Sequence, residues 1–320
     1  MDKVLVGVDV GGTTVELGIF PWEGPCMDVS EIPTPHTGRQ EDLWDAVAEG
    51  IRARLAFLNI DGHRLAAVGV AVPGPVDADG FVPWLVNIGI GACYPAKEIE
   101  ERLRVPAVSA NDANAAALGE AVYGAGRGHR NIAMLTLGTG VGGGIIIDGK
   151  IVAGAHGCGA EIGHFVVDPD EEEACNCGNH GCLEQYASAT GMVRSVKRFL
   201  RSEDTPSVLR DLQPEEISAR EVADAAKAGD AIALKAFNVY GKYLGLGISH
   251  LVLTTDPELI IIGGGVSNAG QILIDTVDPY VDRYTHIAKS RADIVLATLG
   301  NDAGVSGCAA MAKQLFGVRT

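Results

Sequence analysis

Three cysteines lie close together in the middle of the chain, at a spacing that is typical of a metal site. Cys175, Cys177 and Cys182 follow the pattern Cys-x-Cys-x4-Cys. The sequence opens without a basic and apolar leader, so we expect a compartment in which thiols stay reduced. Zinc in proteins prefers four sulfur or imidazole ligands arranged as a tetrahedron. The cluster therefore predicts a zinc site rather than disulfides.

The spacing leaves the fourth ligand open. His180 lies inside the cluster, while His156 and Cys158 lie upstream of it. His164 is favoured because it closes the segment Glu161-Ile-Gly-His164, which offers a second polar side chain beside the imidazole. The other cysteines are isolated in the sequence and are expected to be inert core residues: Cys26, Cys93 and Cys308.

Three glycine-rich turns could bring backbone N–H groups close to a phosphate, because glycine has no Cβ that would keep a ligand away. The first occupies residues 9–14, where two threonines add hydroxyl donors and Asp9 could hold a Mg²⁺-bound water. The second occupies residues 138–143, and the third residues 263–265. Each also fits an ordinary tight turn. Two such turns at matching places in a repeated unit favour loops that hold phosphates from two sides.

Asp112 follows a predicted strand and begins a predicted helix, where Asn111 or Asp112 would serve as the cap. The alternative function is a general base, because phosphoryl transfer to a sugar hydroxyl needs a carboxylate that orients the O–H and accepts its proton. Glu161 and Glu184 flank the cysteine cluster, and a metal would bring Glu184 back toward His164. A metal-bound imidazole keeps its second ring nitrogen free for a sugar hydroxyl.

The elements that must position these residues alternate between strands and helices, which predicts a layered α/β fold. Strands are predicted at residues 3–9, 15–20, 65–72, 105–110, 132–137, 145–147, 259–262 and 294–298. Helices are predicted at residues 42–58, 112–123 and 303–315, with a helix-rich stretch at 188–253. The strand–turn–strand unit at residues 132–147 resembles the one at residues 4–20, so two related halves are expected.

Composition narrows the class of protein. A length of 320 residues suits two domains, and a hydrophobic content of 47% is that of a globular chain. The formal net charge of −16 argues against binding to nucleic acid. The longest weakly polar stretch, residues 131–147, is broken by glycine and is not expected to span a membrane. We therefore expect a cytoplasmic enzyme that acts on small molecules.

Taken together, these motifs resemble the ROK family (repressors, open reading frames and sugar kinases), within the actin- and hexokinase-like fold group. The resemblance runs from Asp9 to the last predicted helix. Its most specific part is Glu161-x-Gly-His164 followed by Cys175-Asn-Cys-Gly-Asn-His-Gly-Cys-Leu-Glu184. Residues 111–120 and 183–191 resemble most closely the members that phosphorylate glucose.

The resemblance implies an α/β, two-domain actin/hexokinase-like (ribonuclease H-like) fold with a cleft between the domains. Residues 1–119 with 301–320 would form the smaller domain, and residues 120–300 the larger one that carries the metal loop. The implied activity is phosphorylation of a hexose by ATP and Mg²⁺, with glucose to glucose 6-phosphate favoured. A homodimer or homotetramer is also implied.

The resemblance also assigns roles to individual residues. Asp112 would be the catalytic base. A structural Zn²⁺ would be bound by His164, rather than His180, together with Cys175, Cys177 and Cys182. The sugar would be contacted by Gly74, Asn87, Asn111, Glu161, His164 and Glu184. The nucleotide and its magnesium ion would be contacted by Asp9, Gly11, Gly12, Thr13, Thr14, Gly138, Thr139, Gly140, Gly264 and Gly265.

Three alternatives stay open at this point. A sugar-sensing repressor of the same family would need a basic helix-turn-helix segment before Asp9, and the negative charge of the chain disfavours it. A kinase for fructose, mannose or an N-acetylhexosamine would share the same motifs. Polyphosphate could replace ATP as the donor, although it would favour a basic groove.

Overall fold

The computed structural model describes residues 3–288 and 291–319, which form two compact units. The first unit runs to Arg130 and also includes Gly144–Ala160 and the chain from Leu299 onward. The second unit comprises Asn131–Gly143 and Glu161–Thr298. The last helix of the chain therefore belongs to the first unit. The domain boundaries expected at residues 119 and 300 remain a prediction.

Strands and helices alternate along the chain, which confirms the α/β fold class. The strands are β1 (Val4–Val10), β2 (Thr14–Pro21), β3 (Asp28–Pro33), β4 (Leu65–Val72), β5 (Ala107–Asn111), β6 (Ile132–Leu137), β7 (Val141–Ile147), β8 (Lys150–Ile151), β9 (Leu259–Gly263) and β10 (Asp293–Leu296). The α-helices are α1 (Gln40–Phe57), α2 (Pro95–Leu103), α3 (Asp112–Tyr123), α4 (Glu184–Ala187), α5 (Ala189–Ser202), α6 (Ala219–Lys227), α7 (Ala231–Thr255), α8 (Gln271–Tyr284) and α9 (Ala303–Arg319).

The first unit contains a sheet with the order β3-β2-β1-β4-β5 among the described residues. β1 pairs antiparallel with β2 and parallel with β4, which in turn pairs parallel with β5. Every residue of β4 is buried, as expected for an apolar strand that is covered on both faces. The carboxyl ends of β1, β4 and β5 meet at one edge of the sheet, which brings Asp9, Val72 and Asn111 to that edge.

Two helices cover the apolar side chains of the first sheet. The buried face of α1 carries Leu43, Val47, Ile51 and Leu55, which pack into the same core as β1 and β4. α9 approaches the sheet more closely than helices usually do. A Cβ on Gly7 would lie 2.0 Å from the Val305 carbonyl oxygen, and a Cβ on Gly69 would lie 1.9 Å from the carbonyl oxygen of Cys308. Glycine at these strand positions therefore lets the helix backbone rest directly on β1 and β4.

A second sheet has the strand order β10-β9-β6-β7-β8 among the described residues. β9 pairs parallel with both β6 and β10, and β7 pairs antiparallel with β8. The helices α4 to α8 belong to the second unit, and α7 is the longest of them at 25 residues. Within the described ranges, no helix combines the length and the apolar character that crossing a bilayer requires.

Candidate active site

The predicted metal ligands lie together in the second unit. The ligand atoms of His164, Cys175, Cys177 and Cys182 all fall within 4.8 Å of one another. Cys177 Sγ is 3.7 Å from Cys182 Sγ, and Cys175 Sγ is 4.0 Å from His164 Nδ1. Two thiolates bound at about 2.3 Å to one tetrahedral zinc ion lie about 3.8 Å apart. The three sulfurs and the imidazole nitrogen therefore fit a metal ion that needs no further ligand.

The loop that carries this cluster is shaped by local backbone contacts. It begins with the 3-10 turn Ile162–His164, and Val166 pairs with Cys182 as an antiparallel bridge. Gly181 has a φ of +70°, and a Cβ at this position would lie 1.7 Å from the Asp168 carbonyl oxygen. Only glycine fits there, so the glycine just before the last cysteine allows the loop to close.

The other candidate ligands lie outside the cluster. His180 is exposed, and its Nδ1 lies 3.2 Å from the Glu171 carbonyl oxygen. Cys158 is also exposed, and its thiol contacts the carbonyl oxygen of His156. The fourth ligand that the geometry favours is therefore His164. The isolated cysteines are free thiols, with Cys26 partly buried and Cys93 and Cys308 buried.

The three clustered thiols differ in acidity. Burial raises the pKa of Cys182 to about 12 and also raises the pKa of Cys175. A hydrogen bond from the Asn179 backbone N–H lowers the pKa of Cys177. A bound cation would be needed to hold all three as thiolates near neutral pH, because metal binding and thiol deprotonation are linked.

The first glycine turn joins β1 to β2 as a hairpin. The Gly11 N–H donates to the Thr14 carbonyl oxygen over 2.9 Å, and Thr13 and Thr14 are exposed. Thr34, the residue after β3, supports the turn. Its hydroxyl donates to the Gly11 carbonyl oxygen over 2.8 Å, and its N–H donates to the Thr13 carbonyl oxygen over 3.0 Å. The sequence does not indicate that Thr34 supports this turn, because Thr34 lies 23 positions from Gly11, the residue that its hydroxyl contacts.

Asp9 is a partly buried carboxylate beside this turn. α9 makes room for it, because a Cβ on Gly304 would lie 2.0 Å from Asp9 Oδ2. Burial raises the pKa of Asp9 to about 7, and the negative charges of Asp112 and Glu16 add to the effect. A carboxylate with such a pKa gains from a nearby cation, which would favour its charged form.

Asp112 is the first residue of α3, and Asn111 is the helix cap, since its side-chain oxygen accepts the Asn114 N–H. Asn111 Nδ2 donates to Asp112 Oδ1 over 2.9 Å and to the Gly74 carbonyl oxygen over 3.2 Å. The Ala113 N–H also donates to Asp112 Oδ1, over 2.8 Å. These bonds fix the orientation of the carboxylate, while burial raises the pKa of Asp112.

Asn87 reaches the first turn from a separate loop. A Cβ on Gly12 would lie 3.7 Å from Asn87 Cβ. The loop is closed by isolated bridges between Val82 and Cys93 and between Leu85 and Ile90. The side chain of Asn87 is exposed and therefore accessible to a ligand beside the turn.

The second glycine turn joins β6 to β7 and lies against Glu184. Glu184 Oε2 accepts the Val141 N–H over 3.0 Å, and a Cβ on Gly140 would lie 2.2 Å from that oxygen. Gly138 has no such neighbour within 4 Å. This contact between Glu184 and the turn is not readable from the sequence, since the two lie 43 positions apart.

The third glycine turn borders a cavity of about 410 Å³ in the second unit. Gly264 has a φ of +81° and packs on the backbone of Leu137, whereas a Cβ on Gly265 would meet open space. The cavity is lined by apolar side chains such as Met192, Phe237 and Val266, and also by the charged or polar side chains of Arg220, Asp224, Lys227 and Asn268. Its size and lining suit a flat heterocycle. The sequence singled out the glycines but not Met192 or Phe237.

The predicted site residues divide between the two units. The first unit holds Asp9, Gly11, Gly12, Thr13, Thr14, Gly74, Asn87, Asn111 and Asp112. The second holds Gly138, Thr139, Gly140, Glu161, His164, Cys175, Cys177, Cys182, Glu184, Gly264 and Gly265. Within each unit, the groups predicted for phosphate binding lie next to groups predicted for the sugar.

Comparison with known proteins shows that the chain is similar to sugar kinases. The glucokinase of Halalkalibacterium halodurans is 39% identical over 318 residues, covering 98% of this chain and 96% of that protein. A crystal structure of ROK hexokinase from Thermus thermophilus has a TM-score of 0.84 at 30% identity, covering 99% of this chain and all of that one. A ROK family glucokinase from Streptomyces griseus, in complex with glucose and AMPPNP, has a TM-score of 0.77 at 35% identity over 98% of this chain and all of that one.

The two sheets and these structural similarities define an actin/hexokinase-like α/β protein. Residues 5–315 match the profile of the ROK family, and the chain belongs to that family.

Proposed function

We propose that this protein is an ATP-dependent hexose kinase that converts glucose to glucose 6-phosphate. The observation that carries the proposal is the environment of Asp112. Two N–H donors orient this carboxylate, which lies in the same unit as the first glycine turn. Membership of the ROK family and the relatives named glucokinase support the choice of reaction and of sugar.

Asp112 would act as the general base. The donors Asn111 Nδ2 and Ala113 N–H both bond to its Oδ1, so Oδ2 is the oxygen that we assign to the sugar hydroxyl. The hydroxyl oxygen attacks the γ-phosphorus of ATP, and the bond from that phosphorus to the bridging oxygen breaks with its electron pair leaving on ADP. The hydroxyl proton passes to Asp112, whose raised pKa makes it a stronger base than an exposed aspartate.

The first and second glycine turns would hold the phosphates. Exposed hydroxyls and backbone N–H groups at Gly12, Thr13 and Thr14 form the first set of donors, and Gly138 to Gly140 form the second. Asp9 would hold a water molecule of a bound Mg²⁺, an ion that reduces the negative charge of the phosphates. The cavity beside Gly265 would take the adenosine.

The resemblance to the family supports six residues as sugar contacts. Gly74, Asn87 and Asn111 would contribute from the first unit, and Glu161, His164 and Glu184 from the second. His164 Nδ1 faces Cys175 Sγ at 4.0 Å, so Nε2 is the nitrogen left for a hydroxyl. Zn²⁺ is the metal we assign to the four-residue cluster. With four protein ligands it has no open position and would supply structure rather than chemistry.

The test is an assay of sugar-phosphate formation from glucose, fructose, mannose and N-acetylglucosamine, with ATP or polyphosphate as the donor. We expect the highest kcat/KM with glucose and ATP, and no turnover without Mg²⁺. A preference for another hexose would overturn the sugar assignment alone. The absence of turnover with every sugar by zinc-loaded protein would overturn the kinase assignment and favour a sugar-sensing role.

We further infer a homodimer or homotetramer in the cytoplasm. Resemblance to the family supports the oligomer, and the proposed need for ATP supports the location. Light scattering on the purified chain would contradict the oligomer if it gave the mass of a single 33.3 kDa chain.

A further inference from the structure

We propose that Glu184 is a positioning residue that links the metal cluster to the second glycine turn, so that metal loading strengthens nucleotide binding. The inference rests on the proposed function for the nucleotide at that turn and for the metal at the cluster. All the groups involved lie in the second unit.

The start of the metal loop packs on the turn. A Cβ on Gly163 would lie 2.1 Å from the Val141 carbonyl oxygen, and a Cβ on Gly143 would lie 2.3 Å from Ile162 Cδ1. The residue after Gly163 is His164, the imidazole ligand of the cluster. A movement of His164 would therefore move the backbone that packs on Val141.

The end of the metal loop holds the same turn through Glu184. Its Oε2 accepts the Val141 N–H over 3.0 Å and lies 2.2 Å from where a Cβ on Gly140 would be. Its Oε1 lies 3.8 Å from Cys175 Sγ, and the ligand Cys182 is two positions earlier in the chain. Glu184 thus touches both a metal ligand and the phosphate-binding turn.

The segment that follows Glu184 completes the support. The Ala189 N–H donates to the Gly138 carbonyl oxygen over 2.8 Å, and the Thr190 hydroxyl donates to that of Thr139 over 2.9 Å. Ser188 caps α5 by accepting the Gly191 N–H, which fixes the start of the helix that makes these bonds. The turn is therefore held by chain segments on both sides of the metal loop.

A metal ion bound by all four ligands would join His164, at the start of the metal loop, to Cys182, at its end. Without the metal, the loop ends are still paired by backbone hydrogen bonds, such as that from the Leu183 N–H to the Phe165 carbonyl oxygen over 2.8 Å. We therefore expect the metal-free protein to keep its fold but to hold the turn less tightly. Ordering a flexible turn on binding costs free energy, and a turn that is already ordered avoids that cost.

The experiment measures the affinity of a non-hydrolysable ATP analogue with Mg²⁺, in the absence of sugar, for zinc-loaded and zinc-depleted protein. We expect the loaded form to bind about tenfold more tightly, within the range of typical coupling between sites. Because coupling is reciprocal, the analogue should slow the release of Zn²⁺ to a coloured chelator. Equal affinities, or release that the analogue does not change, would overturn the proposal.

Three variants test whether the coupling between the metal cluster and the second glycine turn depends on Glu184 or on the predicted sugar contacts. The zinc content of each variant is measured alongside. Glu184→Ala should abolish the effect of the analogue on zinc release. Glu184→Gln should keep most of it, because the amide oxygen can still accept the Val141 N–H. Glu161→Ala is the matched control: it removes the other predicted sugar-binding glutamate, whose side chain makes no hydrogen bond to the turn among the described residues, and should keep the effect. Retention in Glu184→Ala, or loss in both of the other variants, would overturn the assignment.

Failure of this inference is distinguishable from failure of the proposed function. An active kinase whose nucleotide affinity ignores the metal would refute the link alone. A protein that phosphorylates no sugar, but binds the analogue more tightly with zinc, would refute the kinase and keep the link. A protein that binds no nucleotide in either state would refute both.

Discussion

At the scale of single residues, two carboxylates in the first unit determine the proposed chemistry. Asp112 is oriented by hydrogen bonds to one of its oxygens, whereas Asp9 has its pKa raised to about 7 by burial first and by neighbouring negative charge second. The first arrangement suits a proton acceptor of fixed direction. The second suits a group whose charged form a nearby cation would stabilise.

Asp112→Asn should lower kcat by about 10²–10⁴-fold, the usual contribution of a positioned general base. Glucose affinity should change little, because the amide can still hydrogen-bond to a hydroxyl. Steady-state kinetics and glucose binding by calorimetry check both parts. Asp45→Asn, at an exposed carboxylate of α1 that pairs with Arg102, is the matched control and should stay near wild type. Near-normal turnover in Asp112→Asn would contradict the base assignment.

The raised pKa of Asp9 predicts a specific pH dependence of stability. In the unfolded chain this carboxyl has its ordinary pKa near 3.8, whereas in the folded protein burial raises the pKa to about 7. The folded state therefore binds the proton more tightly, so its contribution to stability is present below pH 4 and is lost as the pH rises to about 7.

Asp9→Asn should remove this loss, so the variant should gain on the order of 1–3 kcal/mol over wild type at pH 8 relative to pH 5. It should also weaken Mg²⁺-dependent nucleotide binding. Thermal unfolding of both proteins at the two pH values measures the first effect. An unchanged difference between them would show that Asp9 titrates normally in the folded protein.

At the scale of elements, the close approach of α9 to the first sheet depends on glycines in the strands. Gly69 in β4 has the carbonyl oxygen of Cys308 where a Cβ would be, at 1.9 Å, and Gly7 in β1 has that of Val305. Neither clash could be relieved by a side-chain rotation, because the neighbouring atoms are helix backbone. A larger residue must therefore push the helix away from the strands.

Gly69→Ala should lower the free energy of unfolding by about 1–3 kcal/mol or more, as overpacking of a dense core does. Gly62→Ala is the matched control in the same unit, because a Cβ at Gly62 meets nothing within 4 Å. Chemical denaturation of both variants measures the difference. Equal stability of the two variants would mean that α9 can shift without cost.

The same scale shows what sequence patterns can and cannot predict. The apolar runs predict β4 and β6 with their observed bounds, and the cysteine spacing predicts three ligands whose sulfurs do lie together. These signals are local in the chain. β3 was not predicted, because its side chains alternate between exposed and partly buried and include few apolar residues. The contacts of Thr34 with Gly11 and of Glu184 with Val141 join distant positions, and no local pattern encodes them.

At the scale of the whole molecule, the net charge of −16 and the proposed nucleotide substrate have the same sign. The overall field therefore repels the ligand, and binding must come from local donors and from the magnesium ion. Among the residues predicted to contact the phosphates, the donors are backbone N–H groups and hydroxyls, and none is a lysine or an arginine; Arg220 and Lys227 line the cavity proposed for the adenosine. Such a site recognises phosphate by geometry rather than by a basic surface.

The position of α9 has a consequence for biosynthesis. Its inner face meets Leu5, Phe20 and Ala67 through Ala309 and Ala312, so residues from the beginning and the end of the chain share one apolar cluster. During translation the ribosome completes the whole second unit before this helix emerges. The nascent first unit therefore carries an uncovered apolar face for most of its synthesis, and a chaperone that shields such faces would have its longest opportunity there.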